Sequence, residues 1–155
     1  MIILVETKEN IKKISKMSKT IWTEAYSKIL SREQIDYMLG TFLSVESIKK
    51  QINEGFEYYI IKGDKPVGYA AIKDEGDRVF LSKIYIYKEY RNQGFMRAFM
   101  EKIKEREKPV YLTVNKYNLD AINAYKRLGF EVKKEQITDI GKGYVMDDYV
   151  LELTV

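Results

Sequence analysis

Apolar positions along the chain change period several times, and the changes mark out its elements. Ile2–Val5 is a short apolar run that reads as a strand. Ile14, Met17, Ile21 and Ala25 then recur at helical spacing, which predicts an amphipathic helix over about Glu9–Lys28. Ser31 ahead of Glu33 and Gln34 marks a second helix start, covering Arg32–Leu39, with Gly40 as its stop. Ser44 and Glu46 open a further helical stretch through about Asn53. The period then falls to two. Phe56–Lys62 and Val67–Lys73 read as strands joined by the turn Gly63-Asp64-Lys65-Pro66. Arg78–Tyr87 is a third strand of this group. Phe95–Glu107 returns to helical spacing, with Met96, Phe99, Met100 and Ile103 on one face. Val110–Val114 reads as a buried strand and Asn118–Leu128 as a helix carrying Ala121, Ala124, Tyr125 and Leu128 on one face. Phe130–Ile137 and Tyr144–Leu153 close the chain as two strands. An α/β (α+β) arrangement is expected, a mixed sheet with helices on both faces. There is no repeat, linker or low-complexity tract, so residues 1–155 are expected to form a single domain.

One junction carries candidate chemistry. The strand ending near Tyr87 runs into the polar turn Arg91-Asn92-Gln93-Gly94 and then into the helix at Phe95. The first N–H groups of a helix have no intrahelical partner and carry partial positive charge, which favours a phosphate. Gly94 lets the backbone approach such a group, and Arg91 can add a charge-assisted contact. On these residues alone, a phosphate site and a plain structural turn both stand. Neither a G-x-x-x-x-G-K-[ST] loop nor a G-x-G-x-x-G fingerprint occurs.

Composition narrows the chemistry. The 155 residues contain no cysteine and no histidine. Thiolate nucleophiles, disulfides, Cys-ligated zinc and the most frequent general base are thereby excluded, and no metal site is expected. The net charge of +4 is spread out. Lys12–Lys13, Lys49–Lys50 and Lys133–Lys134 are isolated pairs, so a nucleic-acid-binding module is disfavoured. Met1–Val5 lacks the basic lead-in and cleavage site of a signal peptide, and no stretch approaches a membrane span. A cytoplasmic protein with no nucleic-acid or membrane partner is the expectation.

Arg91-x-x-Gly94-x-Met96 resembles the (Q/R)-x-x-G-x-(G/A) motif of the GNAT superfamily of acyl-CoA N-acyltransferases. The lead-in strand Lys83-Ile-Tyr-Ile-Tyr and the helix start Arg97-Ala98 are similar to that family's text. Downstream, Asn115-x-x-Asn118-x-x-Ala121-x-x-x-Tyr125-x-x-x-Gly129-Phe130 resembles its second motif. The likeness covers about Phe56 to Phe130. The resemblance implies a mixed, mostly antiparallel sheet of six to seven strands, in the order β-α-α-β-β-β-α-β-α-β-β. It implies acetyl-CoA as donor, held by Ile84, Tyr85, Ile86, Arg91, Asn92, Gln93, Gly94, Phe95, Met96, Asn118, Tyr125 and Arg127. Tyr125, two helical turns beyond Asn118, is implied as the general acid that protonates the leaving thiolate; a core tyrosine is the other reading of the residue alone.

Two departures stand out. Met96 replaces a small residue, and the strand holds Ser82 and Lys83 where many relatives carry a base glutamate. Glu24, Asp147 or Asp148 acting through water are alternatives for the base, as is no dedicated base. The acceptor is expected among Trp22, Glu24, Tyr26 and Asp148, an aromatic and acidic set suited to a cationic amine such as a polyamine. A homodimer is implied by the family alone. A non-catalytic acyl-CoA sensor of the same fold is the competing reading.

Overall fold

The computed structural model describes residues 1–154; Val155 of the expected domain lies outside the described residues. The chain forms strand β1 (Ile2–Leu4), helices α1 (Lys8–Tyr26), α2 (Arg32–Phe42) and α3 (Val45–Asn53), then strands β2 (Phe56–Lys62), β3 (Pro66–Asp74) and β4 (Val79–Ile86). A 3-10 turn over Lys88–Tyr90 leads to α4 (Phe95–Lys104), β5 (Val110–Asn115), α5 (Leu119–Arg127), β6 (Glu131–Gly141) and β7 (Tyr144–Leu153). The order implied by the resemblance is corrected in one respect: three helices, as the periodicity predicts, and not two, separate β1 from β2. Ser31 and Ser44 each cap a separate helix, accepting from the N–H of Gln34 and Ser47, as expected from their positions.

The sheet has seven strands in the order β1-β2-β3-β4-β5-β7-β6, and only the β4–β5 pair is parallel. Two cores flank it. One packs α4 and α5 against Leu81, Ile84, Ile86, Leu112 and Leu151; the other packs α1–α3 against Tyr58, Ile60 and Tyr69.

Strand β4 is irregular along both edges. In the ladder with β3, Ala71 faces Lys83 while Ile72 faces Leu81, so Ser82 is an extra residue. Such a bulge shifts the alternation of side chains by one. Leu81 and Ile84 therefore both enter the α4–α5 core, while Lys83 and Tyr85 turn toward α1–α3. On its other edge β4 meets β5 only at Val79–Val110 and Phe80–Tyr111, and beyond Phe80 the two strands part. Backbone polar groups of Leu81–Ile86 on that side are released from sheet pairing. Among the described residues, no helix is long and apolar enough to cross a membrane.

Candidate active site

The gap between β4 and β5 opens into a cleft of about 590 Å³, bounded by α1, α4 and α5. One end lies at the start of α4. Helices α1, α2, α3 and α5 each have a side-chain cap, from Thr7, Ser31, Ser44 and Asn118; α4 starts at Gly94 with none. Its first intrahelical bond runs from Ala98 N to Gly94 O, so the N–H groups of Phe95, Met96 and Arg97 point out uncapped. Gly94 has φ +86° and Asn92 φ +63°, both left-handed. A Cβ on Gly94 would meet nothing within 4 Å. Glycine is needed here for its backbone angle, not for room.

Lys88, Arg91, Arg97 and Arg127 line this end, with Asp120 the single carboxylate among them. Arg91 Nε donates to Ile86 O at 3.2 Å. That bond ties the turn to the end of β4 and leaves the terminal guanidinium nitrogens for an anion. Met96 packs against the α4–α5 core, so its bulk turns away while its N–H stays in the uncapped turn. Gln93 is the exception in the motif. It is exposed, bonds Glu89 O through Nε2 at 3.3 Å, and does not line the cleft.

At the waist stand Ile84, Tyr85 and Ile86 of β4 and Asn118, Tyr125 and Leu128 of α5 and its caps. Asn118 Oδ1 caps α5 by accepting from Ala121 N at 3.3 Å, and the side chain lies beside the Tyr26 hydroxyl. Tyr125 is 7% exposed and its ring meets Phe130 edge-on at 5.7 Å. Burial pushes its hydroxyl well above the ordinary tyrosine pKa, with Tyr26 adding to the effect. It therefore keeps its proton throughout the physiological range.

The other end is built by Glu24, Ala25 and Tyr26 of α1 with Ser82, Lys83 and Tyr85 of β4. The Tyr26 and Tyr85 hydroxyls are 3.1 Å apart. Trp22 is behind them, packed on both rings and donating from Nε1 to the Tyr69 hydroxyl at 3.0 Å. Asp148 is also behind this wall, 5% exposed, with Oδ1 unpartnered. Burial, with Asp147 adding, pushes its carboxyl up to about 6. Of the four expected acceptor residues, Glu24 and Tyr26 reach the cleft; Trp22 and Asp148 do not.

Residues 12–130 match the model of the Acetyltransferase (GNAT) family. The chain belongs to this family. A curated relative is the peptidyl-lysine N-acetyltransferase YjaB of Salmonella typhimurium, 28% identical over 82 residues. That match takes in 52% of this chain and 54% of the relative, about half its length. PaiA N-acetyltransferase from Thermoplasma acidophilum, solved in complex with coenzyme A, superposes with a TM-score of 0.78 at 18% identity, covering 100% of this chain and 99% of the other. Apo YjaB from Escherichia coli gives 0.68 at 20% identity, with 98% and 95% covered. At these identities the likeness is one of fold. Within the GNAT frame, sequence reasoning missed Lys83, Lys88, Arg97 and Thr113 as cleft residues. Lys88 and Arg97 flank the first motif and could have been found by extending it. Lys83 depends on the Ser82 bulge, which leaves no trace in the periodicity.

Proposed function

We propose that the chain transfers the acetyl group of acetyl-CoA to a primary amine of a small molecule, with both bound at once. The observation that carries this reading is the cleft itself. An uncapped helix start with cations sits at one end, strand edges released from pairing stand at the waist, and a proton-bearing Tyr125 lies against them.

The residues present fit the donor. The pyrophosphate matches the N–H groups of Phe95–Arg97 with Arg91, Lys88 and Arg127 around them. The amide-bearing arm matches the open edge of β4 and Asn118. Acetyl-CoA supplies the thioester carbonyl that the amine attacks. A β4 N–H aimed at the oxygen that becomes negative contributes about 3–4 kcal/mol to the barrier reduction. Tyr125 donates a hydrogen bond, and then its proton, to the departing sulfur. With no cysteine in the chain, an acyl-cysteine intermediate has no carrier, and direct attack is the simpler route.

For the acceptor, Glu24 and the ring of Tyr26 at the far end support a cationic amine, a polyamine in particular. Acetyl-CoA-dependent thiol release across polyamines, amino acids and short peptides tests this, with calorimetry for acetyl-CoA binding. Turnover with a polyamine supports the reading in full. Preference for an anionic or peptide acceptor overturns the acceptor class. Binding without turnover of any amine points to a sensor.

A further inference from the structure

Lys83 lines the cleft beside the bulge at Ser82, and the proposed transfer does not use it. Its surroundings are unusual for a cation. Three other half-buried basic groups are matched to carboxylates: Arg106 to Glu57 at 2.7 Å, Lys108 to Asp74 at 2.8 Å, Lys116 to Asp147 at 2.9 Å. Among the described residues no carboxylate lies within 4.0 Å of Lys83 Nζ. Gln51 Oε1 of α3 stands 3.4 Å from it and Ser82 Oγ 3.2 Å. The ring of Tyr58, from β2, lies 5.5 Å away.

This shell has the valence of a neutral amine. An –NH2 group has two N–H bonds and one lone pair, and here two acceptors stand ready and no anion does. A third N–H, on the charged form, has no protein acceptor. The Tyr58 ring offers the charged form some attraction, but less than an unpaired charge loses on leaving water. Tyr58 itself stays un-ionised, because burial raises its hydroxyl pKa. Glu24, the carboxylate from α1 on the same cleft, makes no ion pair with Lys83.

We propose that Lys83 is the proton acceptor of the reaction, the group that deprotonates the incoming ammonium. This assignment rests on the transfer activity proposed above. The acceptor arrives as R–NH3⁺ and gives one proton to Lys83 Nζ. The lone pair so freed forms the N–C bond to the acetyl carbon, and the C–S pair leaves with the sulfur. A second nitrogen proton is lost as the amide forms, balancing the one that Tyr125 delivers to sulfur. The products are the amide, the thiol and one proton, which Lys83 returns to solvent. The missing strand carboxylate is thus replaced by Lys83, a residue of the cleft wall that one extra residue turns toward α1–α3. Burial supports the assignment by pushing Lys83 down to about 8, so a usable fraction is neutral near physiological pH.

The test compares wild type, Lys83→Met and Lys83→Arg, with acetyl-CoA and spermidine as probes, over pH 6 to 10. Wild-type kcat/KM should rise as pH passes through about 8. Both variants should lose about 10²-fold or more and lose that limb, while calorimetric acetyl-CoA binding stays unchanged. Arginine keeps the charge and cannot become neutral. A Lys83→Arg enzyme within threefold of wild type overturns the proposal and makes Lys83 a fixed cation that docks an acceptor carboxylate. A second readout needs no turnover: the pH dependence of Lys83 modification by acetic anhydride, followed by mass spectrometry. A midpoint near 8 is expected, and one at the ordinary lysine value of about 10.4 overturns the proposal. Wild-type turnover with unaltered Lys83→Met kinetics sinks this assignment alone. Acetyl-CoA binding with no turnover of any amine sinks the transfer reading and this one with it.

Discussion

Replacing Asp148 with asparagine should make the protein more stable at neutral pH and leave it unchanged in acid. Asp148 is 5% exposed, and its Oδ1 has no partner. The neighbouring carboxylate of Asp147 is engaged by Lys116 and offers only repulsion. The carboxyl rises from 3.8 to about 6 in the folded protein. Between those values the native state holds a proton that the unfolded chain has released, so stability falls as pH rises through that window. The full shift corresponds to about 3 kcal/mol, at 1.36 kcal/mol per unit. Relaxation around the charge and the new amide's own need for partners reduce the expected gain for Asp148→Asn to about 1–2 kcal/mol. Urea denaturation at pH 7.5 and pH 4, for wild type and variant, reads this directly. The gain should be present at pH 7.5 and absent at pH 4. A variant no more stable at pH 7.5, or one with the same difference at both pH values, refutes an unpaired, ionised Asp148.

Tyr125→Phe should lower kcat by about 10²-fold while calorimetric acetyl-CoA binding is retained, since the ring still packs on Phe130. An unchanged kcat would make Tyr125 a core residue only. Gly94→Ala should weaken acetyl-CoA binding by roughly 5- to 30-fold, as about 1–2 kcal/mol is needed to hold alanine at φ +86°. An unchanged Kd would mean that the turn does not touch the donor. Gly68→Ala should cost more than about 2 kcal/mol in urea denaturation, because its Cβ would run into Tyr85 O and Ile86 across the β3–β4 ladder. A stability equal to wild type would show that β4 can yield there.

The elements were legible wherever local chemistry decides them. The helical period of Ile14, Met17 and Ile21 and the caps at Ser31, Ser44 and Asn118 appear where the side chains place them. The strand β6 runs on to Gly141, past the expected Ile137, because its mostly exposed residues carry little alternation and its length is set by pairing with β7. The end of the cleft at the start of α4 was legible because it is one contiguous turn, Arg91–Met96. The opposite end was not, because it joins α1 to β4, elements far apart in the sequence. Trp22 shows the difficulty: a lone tryptophan among acids reads as a ligand, yet it is covered by Tyr26 and Tyr85. Lys83 shows the converse. Its direction is fixed by where Ser82 falls against Ala71 and Ile72, a fact about two strands together.

The parting of β4 from β5 makes cohesion and occupancy one quantity. The sheet holds its two halves together through the residue pairs Val79–Val110 and Phe80–Tyr111, with packing doing the rest. A donor lying between the open edges acts as mortar in that seam. At a concentration about 100 times its Kd it adds about 2.7 kcal/mol to the stability of the fold. The lifetime of this protein against proteolysis would then follow how fully that seam is occupied.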